Sequence, residues 1–222
     1  MNLLSIDTTT DYLSLAIRHN GKHVLFHQQV GQKHAELLLP TLDALLAELG
    51  IALSQLDAIA FSQGPGSFTG IRIGCAIAQG LAFANALPMM AIPTLDTIAI
   101  QASGAPALVC MDARMGQVYC AKYDAQAQRI DAIRVCDPQD VILEDGHWNA
   151  QGDGFSHYAD ALLPRLAARI NSVDATLRPH ANALITLADS GRYPLQPAQQ
   201  SEILYVRNKI ALTSAEQKAR RS

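Results

Sequence analysis

Residues 3–30 alternate apolar and polar positions in strand-forming side chains: "LLSIDTT", then "YLSLAIRH", then "HVLFHQQV" after the turn signal Asn20-Gly21. Successive strand side chains point to opposite faces, so this period-two pattern around an Asn-Gly pair predicts a three-stranded meander. The period then changes. In "KHAELLLPTLDALLAELG" the leucines recur at helical spacing as far as Gly50, a residue suited to ending a helix. A short buried strand at "DAIAFS", a glycine loop, a helix over residues 69–86, a strand at "PMMAI" and a helix at "TLDTIAIQA" follow. The first half reads βββαβαβα.

The pattern occurs twice. A shift of 105 residues lays "IDTTTDYLSLAI" over "MDARMGQVYCAK", with Asp7 on Asp112, Leu13 on Val118, Leu15 on Cys120 and Val30 on Val135. The second copy is expected to continue with a helix near "PQDVILE", a strand near "HWNAQGD" and a helix at "YADALLPRLAARI". Between the copies, "ASGAPA" at 102–107 supplies a small, Gly- and Pro-containing break. Two lobes are expected, at 1–104 and 105–222, with the last helix free to pack back on the first lobe.

The loop "FSQGPGSFTG" at 61–70 has two readings. Gly64, Pro65, Gly66, Ser67 and Thr69 could aim backbone N–H groups at an anion above the next helix, or simply turn the chain and cap that helix. It is not a Walker A motif, since no Gly-Lys-Ser/Thr follows, and Pro65 lacks an N–H. It is not a dinucleotide fingerprint, because its glycines are spaced GxGxxxG. Further along, Gly70, Gly74, Ala78, Ala82 and Ala86 recur every four residues and form a ridge that something must approach closely. That something is either the chain's own sheet or a partner's helix. Leu37, Leu38, Leu39, Leu42, Leu45, Leu46 and Leu49 cover more than one face of the preceding helix, which favours a partner.

Composition narrows the function classes. With 222 residues and 49% hydrophobic content the chain can bury a substantial core. A net charge of −3 argues against a dedicated nucleic-acid binder, although five of the seventeen Lys/Arg lie from Ser201 onward, where a basic tail could touch a phosphate. The start "MNLLSIDTTT" carries no export signal, and Arg72, Gln79, Asn85 and Pro88 interrupt the most apolar region, so a cytoplasmic protein outside the membrane is expected. Cys75, Cys110, Cys120 and Cys136 form no CxxC pair and read as reduced, buried thiols. His19, His23 and His27 have the spacing of a helical metal site, but Asn20-Gly21 places them on a hairpin. On one strand face His23 and His27 would stand about 13 Å apart, too far for one metal, so no metal is expected.

Two βββαβα copies with an acidic residue at each first turn resemble the actin-like ATPase superfamily. At the residue level, "IDTTTDYLSLAI", "HAELLLPTLDALL", "GPGSFTGIRIG", "MDARMGQVY" and "YVRNKIA" resemble the TsaB (YeaZ) family, needed for threonylcarbamoyladenosine in tRNA. The resemblance implies two tandem actin-like lobes and a non-catalytic subunit. Such a subunit supports TsaD as it transfers threonylcarbamoyl to adenosine 37 of ANN-decoding tRNAs. TsaE and a second copy of the chain are further implied partners, with tRNA met only through the complex. The two helices implied as the partner surface would carry Leu38, Leu42, Leu45, Leu46, Leu49, Gly70, Gly74, Ala78 and Ala82. Asp7, Thr8, Thr9 and Asp112 would outline a vestigial nucleotide site, or act as turn-capping residues. Active relatives have a glycine in the first phosphate turn and a Gly-Gly pair for adenosine, and this chain has neither. No cofactor of its own is expected, though a nucleotide at a shared interface stays open. A stand-alone kinase or ATPase and a glycopeptidase-like enzyme are the rival readings.

Overall fold

A computed structural model describes residues 1–207. The basic tail beyond Arg207, with the rest of "YVRNKIA", lies outside the described residues.

Strands β1 (Leu3–Asp7), β2 (Tyr12–His19), β3 (Lys22–Gln29), β4 (Ala58–Gly64) and β5 (Met89–Pro93) form one sheet in the order β3-β2-β1-β4-β5. The meander is antiparallel, and β4 and β5 are added parallel to β1. Strands β6 (Ala107–Asp112), β7 (Val118–Tyr123), β8 (Arg134–Cys136), β9 (Trp148–Gln151) and β10 (Ile170–Asp174) form a second sheet, β10-β9-β6-β7-β8. Read from its other edge, that order repeats the first. Among the described residues the helices are α1 (His34–Leu49), α2 (Phe68–Ala84), α3 (Thr94–Ala99), α4 (Gly154–His157), α5 (Ala159–Leu166) and α6 (Ala181–Asp189).

Alternation along the strands sorts the side chains into layers. Leu4 and Ile6 of β1, with Leu13, Leu15 and Ile17 of β2, face α1 and α2. The opposite face of this sheet is lined by Leu3 and by small residues, Ala16, Ala58 and Ala60, and Leu184 and Leu187 of α6 cover it. Small sheet residues let α6 lie close. There Ser5 donates to the Ala181 carbonyl at 2.9 Å, and the Ala181 N–H donates to Ser14 Oγ at 2.9 Å. Leu95 and Ile98 of α3 pack on Val109, Met111 and Tyr119 of the second sheet. Its other face packs Leu108, Cys110 and Cys120 against Leu162 and Leu166 of α5.

The second lobe departs from the expected pattern in two places. Near "PQDVILE" the chain makes only a single 3-10 turn, Pro138–Asp140, in place of the expected helix. It then runs extended with Val141 and Leu143 buried and Ile142 and Glu144 exposed, a period-two burial that a helix could not give. The helix expected to reach Ile170 stops at Leu166, and β10 follows. Helix α6, which lies beyond the last element placed from the sequence, packs back on the first sheet.

Candidate functional site

The last residues of β1 and β6 define the functional geometry. Asp7 is 1% exposed. Its Oδ1 accepts the Thr9 N–H and the Thr9 hydroxyl, each at 3.0 Å. Burial pushes its carboxyl above the usual aspartate range, against the opposing pull of Ser62, Thr9 and His34. Asp112 makes the matching turn, its Oδ1 accepting the Arg114 N–H at 2.8 Å and the Tyr158 hydroxyl at 2.8 Å. Burial and the Asp112 carboxylate push that tyrosine up to about 12, so it remains a donor. Both aspartates close an i to i+2 turn at the same place in the repeat. The turn-capping reading therefore describes both.

The glycine loop is shaped by what it lies on. A Cβ at Gly66 would come within 2.5 Å of the Thr9 carbonyl oxygen, and Cβ atoms at Gly70 and Gly74 would strike Thr8. Thr8 fixes this seat by donating its hydroxyl to the Gly70 carbonyl at 2.7 Å. The Ser67 N–H donates to the Thr9 carbonyl at 2.7 Å, and Ser67 Oγ caps the Gly70 N–H at 3.3 Å. The bond between Gly64 and Pro65 is cis, and Gly64 has φ +108, a conformation open to glycine. Ser67 and Thr69 are exposed, and Ser67 supplies the cap. The Ser67 and Gly70 N–H groups are spent on Thr9 and Ser67, Pro65 has none, and the glycines seat on Thr8 and Thr9. The loop is a close-packed turn and helix cap.

The second lobe repeats the device with different residues. Gly152 and Gly154 lie against Cys110 of β6, leaving room for a Cβ only at 2.5 Å and 2.8 Å. Between them Asp153 accepts the Asp112 N–H at 2.9 Å. The sequence signal for this second seat is the short "QGDG" at 151–154, which follows β9 as the longer glycine loop follows β4.

A cleft of about 1030 Å³ opens between the lobes. Thr9, Pro65, Gly66, Ser67 and Asp112 line it, while Asp7 and Thr8 lie buried behind its wall. Leu204, Tyr205 and Arg207 also line it. The Leu204 N–H donates to the Gln63 carbonyl at 2.8 Å, and Arg207 Nη2 donates to the Ala113 carbonyl at 3.1 Å and to Gln117 Oε1 at 2.9 Å. Residues 204–207 thus strap one lobe to the other. Only the fold brings them beside two loops ninety or more residues upstream.

The small-residue ridge faces inward. Gly70, Gly74, Ala78 and Ala82 are buried, as are Leu38, Leu42 and Leu45, so these residues pack α1 and α2 on the chain's own sheet, while Ala86 is exposed beyond the end of α2. The reason for the inward packing is the close seat on Thr8, which only small residues permit. Leu46 and Leu49 are half-buried. A second apolar face of α2 looks outward: Ala76, Gly80, Phe83 and Ala84 are exposed beside half-buried Ile73 and Ile77, with nothing within 4 Å of a Cβ placed at Gly80.

His19 pairs with Lys22 and His23 with Arg18 across the β2–β3 hairpin, as the Asn20-Gly21 turn requires. Among the described residues no three His, Cys, Asp or Glu side chains gather as a metal site. Cys75, Cys110 and Cys120 are buried, but Cys136 is only half-covered, contrary to expectation, because β8 is an edge strand. Among the described residues no helix is long and apolar enough to cross a membrane.

The pattern of the family described as TsaD, tRNA N6-adenosine threonylcarbamoyltransferase, matches residues 25–142. The tRNA threonylcarbamoyladenosine biosynthesis protein TsaB of Haemophilus influenzae is 31% identical over 95% of this chain and 95% of its own. TsaB of Escherichia coli is 32% identical over 95% of this chain and 96% of its own. The chain belongs to the TsaB family. YeaZ from Pseudomonas aeruginosa superposes with a TM-score of 0.83 at 34% identity, covering 92% of this chain and 99% of that one. The TsaB relationship spans both lobes, and with it the fold is the tandem, actin-like arrangement of two mixed sheets.

Proposed function

We propose that this chain is a non-catalytic partner subunit that binds and supports TsaD in the transfer of threonylcarbamoyl to adenosine 37 of ANN-decoding tRNAs. The observation that carries this reading is the end-to-end likeness to proteins named for threonylcarbamoyladenosine biosynthesis. The site's geometry supports the non-catalytic part. Both candidate phosphate turns are occupied by their own capping bonds, and the glycine cradle is filled by Thr8 and Thr9. A stand-alone kinase or ATPase would need those donors free, and a glycopeptidase would need a nucleophile or metal set.

The partner surface is the outward face of α1 and α2, with Ile73, Ala76, Ile77 and Gly80 next to Leu46 and Leu49. The same face serves a homodimer, so TsaD and a second copy compete for it. TsaE joins the assembly through TsaD, tRNA is met only there, and the complex works in the cytoplasm. Any nucleotide sits at an interface shared with a partner.

The test is sedimentation of the purified chain with TsaD. Ala76→Asp would place a charge in an apolar contact and weaken association about tenfold or more. It should leave the melting temperature near that of the parent, since Ala76 is exposed. Unchanged binding by a well-folded Ala76→Asp protein would remove this surface from the reading. Turnover of ATP by the chain alone, lost on Asp112→Asn, would favour the kinase instead.

A further inference from the structure

Three cysteines stand on one face of three neighbouring strands, Cys110 on β6, Cys120 on β7 and Cys136 on β8. Cys110 lies directly across from Cys120 in the register and is fully buried. Cys136 is diagonal to Cys120, yet their sulfurs are in contact at 3.7 Å. Arg134, opposite Cys120 on the exposed edge strand, donates its Nε–H to Cys120 Sγ at 3.4 Å. A guanidinium and a neighbouring S–H directed at one sulfur stabilise a thiolate there. None of these groups takes part in the cleft or the partner face.

We propose that Cys120 and Cys136 form a peroxide-sensitive dithiol that closes to a disulfide, with Arg134 activating it. The pair shares one negative charge. The side-chain contact with Cys136 and the Arg134 guanidinium pull Cys120 down to about 7, against its burial, while the same sulfur contact pushes Cys136 up. The Cys120 thiolate takes the Cys136 proton across the S–H···S contact as half-exposed Cys136 meets a hydroperoxide. The Cys136 sulfur attacks a peroxide oxygen and the O–O bond breaks. With hydrogen peroxide, hydroxide leaves and takes up a proton as water, and Cys136 becomes a sulfenic acid. The Cys120 sulfur then attacks the Cys136 sulfur, the S–O bond breaks, and a second water leaves. Two thiols and one hydrogen peroxide thus give one disulfide and two waters.

Closure requires the sulfurs to move from contact to bonding distance, which draws the three-residue β8 onto β7. The next residue, Asp137, accepts from Gln117 Nε2 at 3.0 Å, and Gln117 Oε1 in turn accepts from Arg207 at the cleft. Oxidation therefore acts one residue from the bonds that fasten the strap to the second lobe.

The test treats the full chain with hydrogen peroxide under native conditions, traps remaining thiols with an alkylating reagent, and maps the products by peptide mass spectrometry. A Cys120–Cys136 link with Cys75 and Cys110 still alkylatable after denaturation is expected. Arg134→Gln, on an exposed residue, should form the link about 3- to 5-fold more slowly at pH 7, because the loss of thiolate outweighs the gain in nucleophilicity at higher pKa. Near pH 9, where both proteins are mostly ionised, the order should reverse, because the higher-pKa thiolate is the better nucleophile. Cys136→Ser should leave no intramolecular link. A Cys110–Cys120 link, oxidation of Cys75 at an equal rate, persistent free thiols at Cys120 and Cys136, or equal rates for Arg134→Gln at pH 7 would each overturn the proposal.

Discussion

A side chain at Gly74 would run into the Thr8 hydroxyl, which is already bonded to the Gly70 carbonyl. Gly74→Leu is therefore expected to act on folding. Overpacking costs about 1–3 kcal/mol, which for a chain of this size lowers the melting temperature by about 2–12 °C. Partner binding per folded molecule should persist, and sedimentation beside a thermal melt separates the two effects. Asp7 predicts a pH effect of definite sign. Its carboxyl is held above the usual value by burial, so the folded state takes up a proton more readily than the unfolded one. The charged form is a cost that grows as pH rises from the usual aspartate value through the raised one. Asp7→Asn keeps an acceptor for Thr9 and removes the charge. Its stability relative to the parent should be greater at pH 7 than at pH 4 in paired melts. The opposite trend would mean that the ionised carboxylate is the favoured partner of Thr9.

Helix α6 shows how an element can be held by groups distant in sequence. It packs on the first sheet through Leu184, and Arg18 of β2 pairs with Asp189 at its end at 2.5 Å. Leu184→Ala would open a cavity costing about 2–5 kcal/mol, a fall of about 4–20 °C by thermal melt. At the other end, the His27 ring stacks between Tyr12 and His180, with centroids 4.8 Å and 4.2 Å away. His180 caps α6 by accepting the Asn182 N–H at 3.1 Å. Burial, and then the neighbouring His180, lower His27 to about 4. The folded state therefore refuses a proton that the unfolded chain accepts below about 6.5, and stability falls as pH drops from there towards 4. His27→Phe keeps the stacking and should flatten this part of the melting curve against pH. An unchanged slope would locate the acid sensitivity elsewhere.

On the scale of the whole molecule, the lobes are joined by shared packing and by the strap. Buried Asp96 of α3 accepts from Tyr123 of β7 at 2.6 Å and from Tyr193 at 2.8 Å, tying α3 to the second sheet and to the chain that leaves α6. The strap adds bonds from Leu204 to β4 and from Arg207 to the turn after β6. Arg207→Ala removes the second anchor and not the first. Proteolysis under native conditions should then cut residues 201–207 faster, with little change in the melt. Equal cleavage rates would show that packing alone holds the strap.

The sequence by itself determined the periods, the turns and the repeat. Asn20-Gly21 fixes the hairpin, the leucine spacing fixes α1, and the shift that lays Asp7 on Asp112 marks the same turn in both sheets, because each of these signals is local or a copy of a local one. It also set the small-residue ridge of α2, but not the direction that ridge faces. Gly70 and Gly74 approach Thr8, more than sixty residues away in the chain, and only the parallel pairing of β1 with β4 brings them there. Strand β10 has no alternation to read because four of its five residues are exposed. The contact of Cys120 with Cys136, the seat of α6 and the strap over the cleft were likewise decided by tertiary structure. Each joins segments whose local patterns are compatible with many neighbours, and it is packing that selects one.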